Sequence, residues 1–282
     1  MKLCRYGKPG YEKPGMIDDE GKLRDLSKIV DNIGPNEISP RGLKMLTRLK
    51  PESLPLVNGA PRYGVPYVGI GKFVAIGLNY SDHAKEAGLP IPPEPIVFMK
   101  ATTCISGPSD DVIQPRNSTK LDWEVELGVV IGTTARYVDE ESALNHVAGY
   151  CIVNDVSERS FQMATSQWDK GKGFDSAGPI GPWLVTTDEV RDPQTLDMKL
   201  EVNGKTMQSG NTRTMVFNVA KIISHVSQYM TLLPGDIIAT GTPPGVGLGM
   251  RPPVFLKPGD VMRLTIAGLG EQKQRVVAYS AS

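Results

Sequence analysis

Three acidic residues alternate along one short stretch of the chain, and their spacing suggests a site for a metal ion. Asp122, Glu124 and Glu126 lie two residues apart within residues 121–132. In a β-strand, residues two apart point to the same face, so the three carboxylates would lie side by side and repel one another. Burying them costs several kcal/mol per ion unless another charge compensates. A divalent cation would provide that charge; the alternative is an edge strand whose acidic face stays in water.

A further oxygen ligand follows at the end of the next predicted strand. Residues 147–153 are apolar, and Asn154 and Asp155 come directly after them. Carboxylate oxygens are ligands that Mg²⁺ and Mn²⁺ prefer, and Ca²⁺ is a weaker alternative. The chain contains only three histidines, far apart in the sequence, so a histidine-rich zinc site is not expected. The residues therefore favour Mg²⁺ or Mn²⁺.

His83 and Glu86 have the spacing of a catalytic pair. They are three residues apart and so share one face of a short helix, which we expect to be capped by Asn79 or Ser81 and to end at Gly88. A carboxylate beside an imidazole fixes its tautomer and raises its basicity, which suits removal of a proton from water. The proline-rich segment that follows is stiff, so the helix is placed to act as a lid. The alternative is a surface ion pair without a catalytic role.

Two segments after Asp155 carry candidate substrate contacts. A predicted helix places Arg159 and Gln162 three residues apart, although such residues are also typical of an ordinary helix surface. A glycine-rich loop over residues 168–183 contains Lys172, and it lacks the residue order of a phosphate-binding loop. A lysine among glycines can approach a ligand oxygen closely, but a flexible surface loop would have the same composition.

The segment over residues 233–247 is a strand that runs into a tight loop. Its backbone N–H groups and the hydroxyls of Thr240 and Thr242 are suited to hold an anionic oxygen. The loop therefore adds a candidate anion-binding element to the site.

The segments that position these residues are mostly β-strands. Short runs of β-branched and aromatic residues, bounded by glycine, proline and asparagine, are typical of strands, and few segments have helical spacing. We predict a mostly β (α+β) fold, with a small N-terminal α+β domain and linker over residues 1–70 and a catalytic domain over residues 71–282. Predicted hairpins span residues 16–26 and 200–208, the latter with an Asn-Gly turn, and predicted helices begin after Ser39 and span residues 219–230.

Composition and charge exclude several classes of protein. The chain has 282 residues, 40% of them hydrophobic, which indicates a globular fold. Lys plus Arg and Asp plus Glu both number 31, and no basic block occurs, so neither a nucleic acid nor a membrane is an expected partner. No apolar run reaches the ~20 residues of a membrane span, and the N-terminus lacks the apolar region of a signal peptide. Three widely spaced cysteines indicate reduced thiols, so a cytoplasmic protein is expected.

Five motifs in a fixed order give the chain a specific resemblance. Over about residues 70–280 it resembles the fumarylacetoacetate hydrolase family. The motifs are Asn79-Tyr80-x-Asp82-His83-x-x-Glu86, Asp122-Trp123-Glu124-x-Glu126-Leu127, Asn154-Asp155-x-x-x-Arg159, Lys172-Gly173-Phe174-Asp175 and Gly235-Asp236-Ile237-Ile238-x-Thr240-Gly241-Thr242-Pro243. The resemblance implies a β-roll catalytic domain, a bound Mg²⁺ or Mn²⁺ ion and a homodimer.

The resemblance also implies roles for individual residues. By position, Glu124, Glu126 and Asp155 look like the metal ligands. His83 and Glu86 look like the pair that activates water. The remaining expected roles are catalysis for Lys172 and substrate binding for Gln162, Arg159 and Thr242.

The reaction implied by these features is hydrolytic cleavage of a C–C bond in a 2,4-diketo acid, a small oxo acid, to give pyruvate and a carboxylic acid. Family members that cleave 2,4-dioxo-3-deoxy sugar acids look most similar. The same site would also serve ureidoglycolate cleavage, oxaloacetate decarboxylation or dienol isomerisation, and a catalytically idle, metal-stabilised dimer is the non-enzyme alternative. The His83–Glu86 pair favours hydrolysis, because decarboxylation needs no activated water.

Overall fold

The acidic stretch leads into a central strand of a large β-sheet. The computed structural model describes residues 1–280, which are mostly β, as predicted. In chain order the strands are β1 (Lys2–Tyr6), β2 (Lys13–Ile17), β3 (Leu23–Asp25), β4 (Phe73–Gly77), β5 (Ile96–Lys100), β6 (Ile105–Ser106), β7 (Val112–Gln114), β8 (Leu121–Asp122), β9 (Val125–Ile131), β10 (Val147–Asn154), β11 (Ser157–Glu158), β12 (Gly178–Thr186), β13 (Asp197–Val202), β14 (Lys205–Asn211), β15 (Ile237–Ala239), β16 (Val261–Ile266) and β17 (Gly270–Ala278).

The large sheet has the strand order β3-β2-β1-β12-β10-β9-β15-β4-β5, with β6 paired to β12. Strand β9 is central, since it pairs antiparallel with β10 on one side and β15 on the other. Both of its faces are covered, and Asp122, Glu124 and Glu126 are only 0%, 6% and 2% exposed. The acidic residues are therefore not on a solvated edge strand, and their charges must be compensated inside the protein.

The predicted acidic strand is interrupted between β8 and β9. Strand β8 pairs with β11, whereas β9 pairs with β10, so the backbone changes partner at residues 123–124. Side chains take over the hydrogen bonds there: the Glu124 N–H donates to Asn154 Oδ1 at 3.3 Å and the Val125 N–H to Gln208 Oε1 at 2.9 Å. Buried backbone groups need partners, and these amides provide them.

A second sheet, with the order β14-β13-β16-β17-β7, packs against the first. Buried amide side chains on β17 join the two sheets: Gln272 donates to the Ile152 carbonyl at 2.8 Å, and Asn154 donates to Gln274 at 3.1 Å. The predicted hairpin is confirmed as β13–β14, with positive φ angles at Asn203 and Gly204 that suit its tight turn.

The N-terminal segment continues the large sheet. Strand β1 pairs antiparallel with β12, where Leu3 lies opposite Leu184. The predicted hairpin over residues 16–26 is confirmed as β2–β3. The boundary at residue 70 stays a prediction, although the sheet is continuous across this part of the chain.

Within residues 1–280, five α-helices connect the strands, and the predicted caps can be compared with the ends of these helices. Ser39 caps the first helix, accepting from the Gly42 N–H at 3.1 Å, as predicted. Neither Asn79 nor Ser81 caps the second: its N-cap is Tyr80, because the Asn79 side chain bonds to the backbone of Phe217 and Thr240 instead. The helices are α1 (Pro40–Leu46), α2 (Ser81–Ala87), α3 (Arg159–Gln162), α4 (Asp169–Lys172) and α5 (Val219–Tyr229).

The end of α2, the buried face of α5 and the segment over residues 168–183 bear on three other predictions. Gly88 ends α2 in the left-handed conformation, with a φ of 67°, and α5 turns its apolar stripe inward, both as predicted. The predicted loop over residues 168–183 instead contains α4 and the start of β12. In residues 1–280 the three cysteines are buried and unpaired, and no helix is both long and apolar enough to cross a membrane.

Candidate active site

Three carboxylates meet in the interior, at the ends of β9 and β10. Glu124 directly precedes β9, Glu126 lies within it, and Asp155 follows β10. One oxygen of each lies within 4.8 Å of the others, and all three residues are buried. The Asp155 N–H donates to the Glu124 carbonyl at 3.0 Å, which fixes the two backbones together. The structure thus brings together the three carboxylates that the sequence suggested as metal ligands.

Lys172 bridges two of these carboxylates. Its Nζ lies 2.8 Å from Glu124 Oε2 and 2.7 Å from Asp155 Oδ2. Burial alone would lower the pKa of Lys172, but Asp155 and Glu124 raise it above its ordinary value, so the ammonium keeps its charge. Burial alone would raise the pKa of Glu124, but Lys172 and Arg159 lower it below its ordinary value. Both partners are therefore ionised despite being buried.

The guanidinium of Arg159 binds three side chains of the protein. Its Nη2 donates to Glu124 Oε1 at 2.6 Å, its Nε to Asp122 Oδ2 at 2.8 Å, and its Nη1 to Gln162 Oε1 at 3.0 Å. A planar guanidinium suits such a fork, which holds Glu124 and Gln162 in fixed orientations. Although Arg159 lines the pocket, its guanidinium donates these hydrogen bonds to other side chains of the site.

Glu126 has no cation in contact with its carboxylate among residues 1–280. It accepts the Gly241 N–H at 2.8 Å. Burial raises the pKa of Glu126 well above its ordinary value, and the nearby charges of Asp155 and Glu124 raise it further. A positive charge placed among these three carboxylates would relieve that repulsion.

His83 and Glu86 form a hydrogen-bonded pair on α2. His83 Nδ1 lies 3.2 Å from Glu86 Oε2, as the three-residue spacing predicted. The Glu86 carboxylate also accepts the Gly245 N–H at 3.1 Å, so α2 is attached to the loop that follows β15. The pair is partly exposed, in contrast to the buried carboxylate cluster.

One pocket of about 570 Å³ contains both groups. This volume is in the range of small-molecule sites, and titratable groups that converge in a cleft are typical of an active site. Eight of the nine predicted site residues line it, and Asp155 lies just behind, in contact with Lys172. The eight are His83, Glu86, Glu124, Glu126, Arg159, Gln162, Lys172 and Thr242.

Comparison with known sequences identifies the family. Residues 72–277 match the family described as fumarylacetoacetate (FAA) hydrolase, C-terminal. The chain belongs to the fumarylacetoacetate hydrolase family. A protein of Burkholderia multivorans, named only as a candidate hydrolase, is 60% identical over 276 residues, which are 97% of this chain and 98% of that protein.

Solved structures of the fumarylacetoacetate hydrolase family have the same fold. A fumarylacetoacetate hydrolase from Exiguobacterium antarcticum is 37% identical with a TM-score of 0.89, over 99% of this chain and 100% of that one. A probable 2-hydroxyhepta-2,4-diene-1,7-dioate isomerase from Mycobacterium abscessus is 35% identical with a TM-score of 0.84, covering 100% of both chains. Maleylpyruvate hydrolase from Sphingobium sp. SYK-6 is 31% identical with a TM-score of 0.81, over 99% and 100%.

The charges and donor atoms at this site fit a divalent metal ion. Four buried carboxylates face three buried cations, so one negative charge is in excess when all four carboxylates are ionised. The three clustered carboxylates offer only oxygen atoms, which is the donor set of Mg²⁺ or Mn²⁺. The carboxylates are Asp122, Glu124, Glu126 and Asp155, and the cations are Lys100, Arg159 and Lys172.

Lys100 is a site residue that the sequence analysis missed. Its side chain is fully buried at the end of β5, and its Nζ lies 2.5 Å from Asp155 Oδ1 and also donates to the Lys172 carbonyl. It therefore holds one predicted metal ligand from behind and fixes the end of α4. The available signal was a single lysine that ends an otherwise apolar strand.

Asp122 holds a loop of the pocket in place, a role that its position in the acidic repeat did not indicate. Besides Arg159, it accepts the N–H groups of Gly247 at 2.7 Å and Leu248 at 3.0 Å. It therefore positions a loop of the pocket, and it does not take part in the cluster of potential metal ligands.

The threonine hydroxyls do not form the predicted anion site. Thr240 Oγ1 donates to the Leu127 carbonyl, and Thr242 Oγ1 donates to the Val125 carbonyl, each at 2.9 Å. Both hydroxyl protons are therefore used to attach this segment to β9. Thr242 still lines the pocket, while the backbone of Gly241 holds an anionic oxygen of the protein itself, that of Glu126.

Proposed function

We propose that the protein is a metal-dependent hydrolase that cleaves a C–C bond of a 2,4-diketo acid to pyruvate and a carboxylic acid. The observation that carries this proposal is that a cluster of buried carboxylates and a His–Glu pair line one pocket. The first suits an ion that binds an oxo acid, and the second suits activation of water.

Glu124, Glu126 and Asp155 would hold the ion, as Mg²⁺ or Mn²⁺. The chemistry that such an ion supplies when bound is polarisation of the oxygens of an oxo acid. Lys100 and Arg159 would orient Asp155 and Glu124, because their donors already contact these carboxylates.

The proton transfers are assigned to the lid. His83 would accept a proton from the attacking water, while the Glu86 carboxylate stabilises the imidazolium that forms. Gly245 keeps Glu86 in place through its N–H, so attachment of the lid and orientation of the pair are linked. Lys172 would stabilise negative charge that develops on a substrate oxygen, and Gln162 and Thr242 would contact the substrate, since all three line the pocket.

Dienol isomerisation is the second candidate, supported by the 35% identity to the Mycobacterium abscessus protein named as a probable isomerase. Isomerisation moves a proton without consuming water. Pyruvate release from 2,4-diketo acids, coupled to NADH loss through lactate dehydrogenase, separates the two. Metal-dependent pyruvate formation that EDTA abolishes supports the hydrolase, whereas conversion of a dienol without pyruvate supports the isomerase.

Replacement of Glu124 tests the role of the carboxylate cluster. We expect Glu124→Gln to abolish metal-dependent turnover and to weaken Mn²⁺ binding measured by calorimetry, because one negative charge among the proposed ligands is lost. The matched control is Glu140→Gln, at an exposed position in a surface pair, which should keep full activity. Full activity of Glu124→Gln would rule out the assignment.

The oligomeric state stays a prediction. A homodimer is expected for this family, and light scattering coupled to gel filtration would measure it directly.

A further inference from the structure

The pocket has two chemically different parts. Its polar end is formed by the carboxylate cluster with Lys172, Arg159 and Gln162. Most of the remaining lining consists of aliphatic, aromatic and thioether side chains, and we refer to it as the apolar wall. Its principal members are Leu78, Phe98, Met163, Trp168, Leu248 and Met250.

The apolar wall adjoins the polar end of the pocket. The Phe98 ring centroid lies 5.3 Å from Lys172 Nζ, so this ring adjoins the carboxylate cluster. The Trp168 ring packs edge-on to Phe98, with centroids 5.3 Å apart. Trp168 in turn covers Gly77, where an added Cβ would lie 2.6 Å from the indole. Met163, another member of the wall, is 69% exposed, so its side chain is open to a ligand.

Partners for hydroxyl groups are scarce along the apolar wall. Apart from the polar end and the His83–Glu86 pair, the pocket-lining side chains in residues 1–280 with N–H or O–H groups are those of Trp168, Arg251 and Thr242, and the Thr242 hydroxyl proton is already used. Arg251 is exposed and forms no ion pair within these residues. A hydroxyl group seated on the leucine, methionine or phenylalanine side chains of the wall would lose water without gaining an N–H or O–H partner, whereas a methylene group would gain from leaving water.

We propose that the apolar wall binds the acyl group of the diketo acid, and that this group is an unsubstituted alkyl or aryl chain. The polyhydroxylated chain of a 2,4-dioxo-3-deoxy sugar acid does not fit these surroundings. The inference rests on the proposed function, because it takes the oxo-acid part of the substrate to occupy the polar end. It therefore selects one substrate class from those that the family resemblance left open.

The affinities of a series of 2-oxo acids test binding at the apolar wall independently of turnover. We would measure by calorimetry the affinity of the protein, with Mg²⁺ present, for straight-chain 2-oxo acids from 2-oxobutanoate to 2-oxooctanoate. The dissociation constant should fall about fourfold per added methylene, as expected for burial of apolar surface. An affinity that does not change with chain length, or no binding at all, would overturn the proposal.

Turnover of matched acylpyruvates gives the second readout. Acetylpyruvate, hexanoylpyruvate and benzoylpyruvate should be cleaved with rising kcat/KM, and a 2,4-dioxo-3-deoxy sugar acid at least about 100-fold less well than hexanoylpyruvate. The two proposals fail separately. Chain-length-dependent binding without pyruvate release would retain the apolar subsite and reject the hydrolase, whereas cleavage with a preference for the sugar acid would retain the hydrolase and reject the subsite.

Variants at the exposed part of the wall connect the effect to these residues. We expect Met163→Gln and Leu248→Gln to reduce the gain per methylene from about fourfold to less than about twofold, since both side chains are exposed and are replaced by a polar one. The matched control is Met45→Gln, on α1 and 42% exposed, which should keep the wild-type series. An unchanged series in both wall variants would contradict the proposal.

A 2-oxo acid with a terminal carboxylate tests the alternative that the apolar wall binds a charged chain. If a 2-oxo acid with a terminal carboxylate binds more tightly than the alkyl acid of equal length, and Arg251→Gln removes that preference, the wall would belong to a dicarboxylate and the proposal would be wrong. Equal or weaker binding of the charged chain supports it.

Discussion

Buried charges at the candidate site are arranged so that each cation satisfies more than one acceptor. Lys172 contacts Glu124 and Asp155, and Lys100 contacts Asp155 and the Lys172 carbonyl. Such pairs are costly to desolvate, and removing one partner leaves an uncompensated buried charge. Substitution of a single residue in the network should therefore change the free energy of unfolding as well as the activity.

Lys100→Met should destabilise the protein by about 3–5 kcal/mol, because it removes a buried cation from a buried carboxylate. Urea unfolding in EDTA would measure this change without a contribution from metal binding. Lys199→Met is the control, since Lys199 pairs with Glu201 at 2.5 Å but is 48% exposed, and its effect should stay below about 1 kcal/mol. Equal effects of the two variants would contradict a special role for Lys100.

Glu86→Gln should lower kcat by about 10²–10⁴ while leaving the melting temperature nearly unchanged. The amide retains the size of the side chain, but it lacks the charge that stabilises a protonated His83. Glu94→Gln, at an exposed position in the linker after α2, is the control. If kcat of Glu86→Gln stays within a factor of two of wild type, the pair is structural.

At the scale of elements, the close approach of α3 and α4 positions Lys172. A Cβ at Gly171 would lie 2.3 Å from the Gln162 backbone nitrogen, so only glycine allows this contact. Helix α3 carries Arg159 and Gln162, and helix α4 carries Lys172. The spacing between the two helices therefore fixes the distance between these polar side chains.

Gly171→Ala should reduce kcat/KM by about 100-fold, because α4 must move and a displacement of about 1 Å in a catalytic group has an effect of that size. The backbone of Gln162 cannot move aside as a flexible side chain would. Gly34→Ala is the matched control, because its Cβ would meet Glu37 at 3.4 Å, an ordinary contact. Similar activity of both variants would show that α4 tolerates the shift.

At the scale of the whole molecule, the N-terminal strands and the catalytic region share one sheet and one core. Leu3, Met16 and Leu26 belong to the same buried cluster as Val129 of β9. Strand β12 also lies between β1 and β10, so its edge would be unpaired without the N-terminal segment.

A chain of residues 71–282 should therefore unfold at a lower temperature than the whole protein, or aggregate. Its loss includes the β1–β12 pairing and several fully buried apolar side chains. Calorimetry of the two chains would measure the difference. An unchanged, cooperative transition in the shorter chain would instead support an independent domain with a boundary near residue 70.

Local patterns in the sequence determined the features that depend on neighbouring residues. The Asn203-Gly204 turn, the Ser39 cap, the stripe of α5 and the spacing of His83 and Glu86 all follow from backbone periodicity and capping, which act over a few residues. The alternation of acidic residues likewise indicated that carboxylates would meet, and the family motifs indicated which ones.

Only the tertiary structure decided how those groups are surrounded. Lys100 lies 55 positions from Asp155 in the chain, and the Thr242 hydroxyl bonds to a carbonyl 117 positions away, so no local pattern could reveal either contact. The burial of the acidic residues followed from the position of β9 between β10 and β15. The apolar wall arises in the same way, since β5, the segments that follow β4 and α3, and the loop after β15 each supply part of it. Residue types and periodicity are local properties, whereas burial and charge compensation depend on which distant segments pack together.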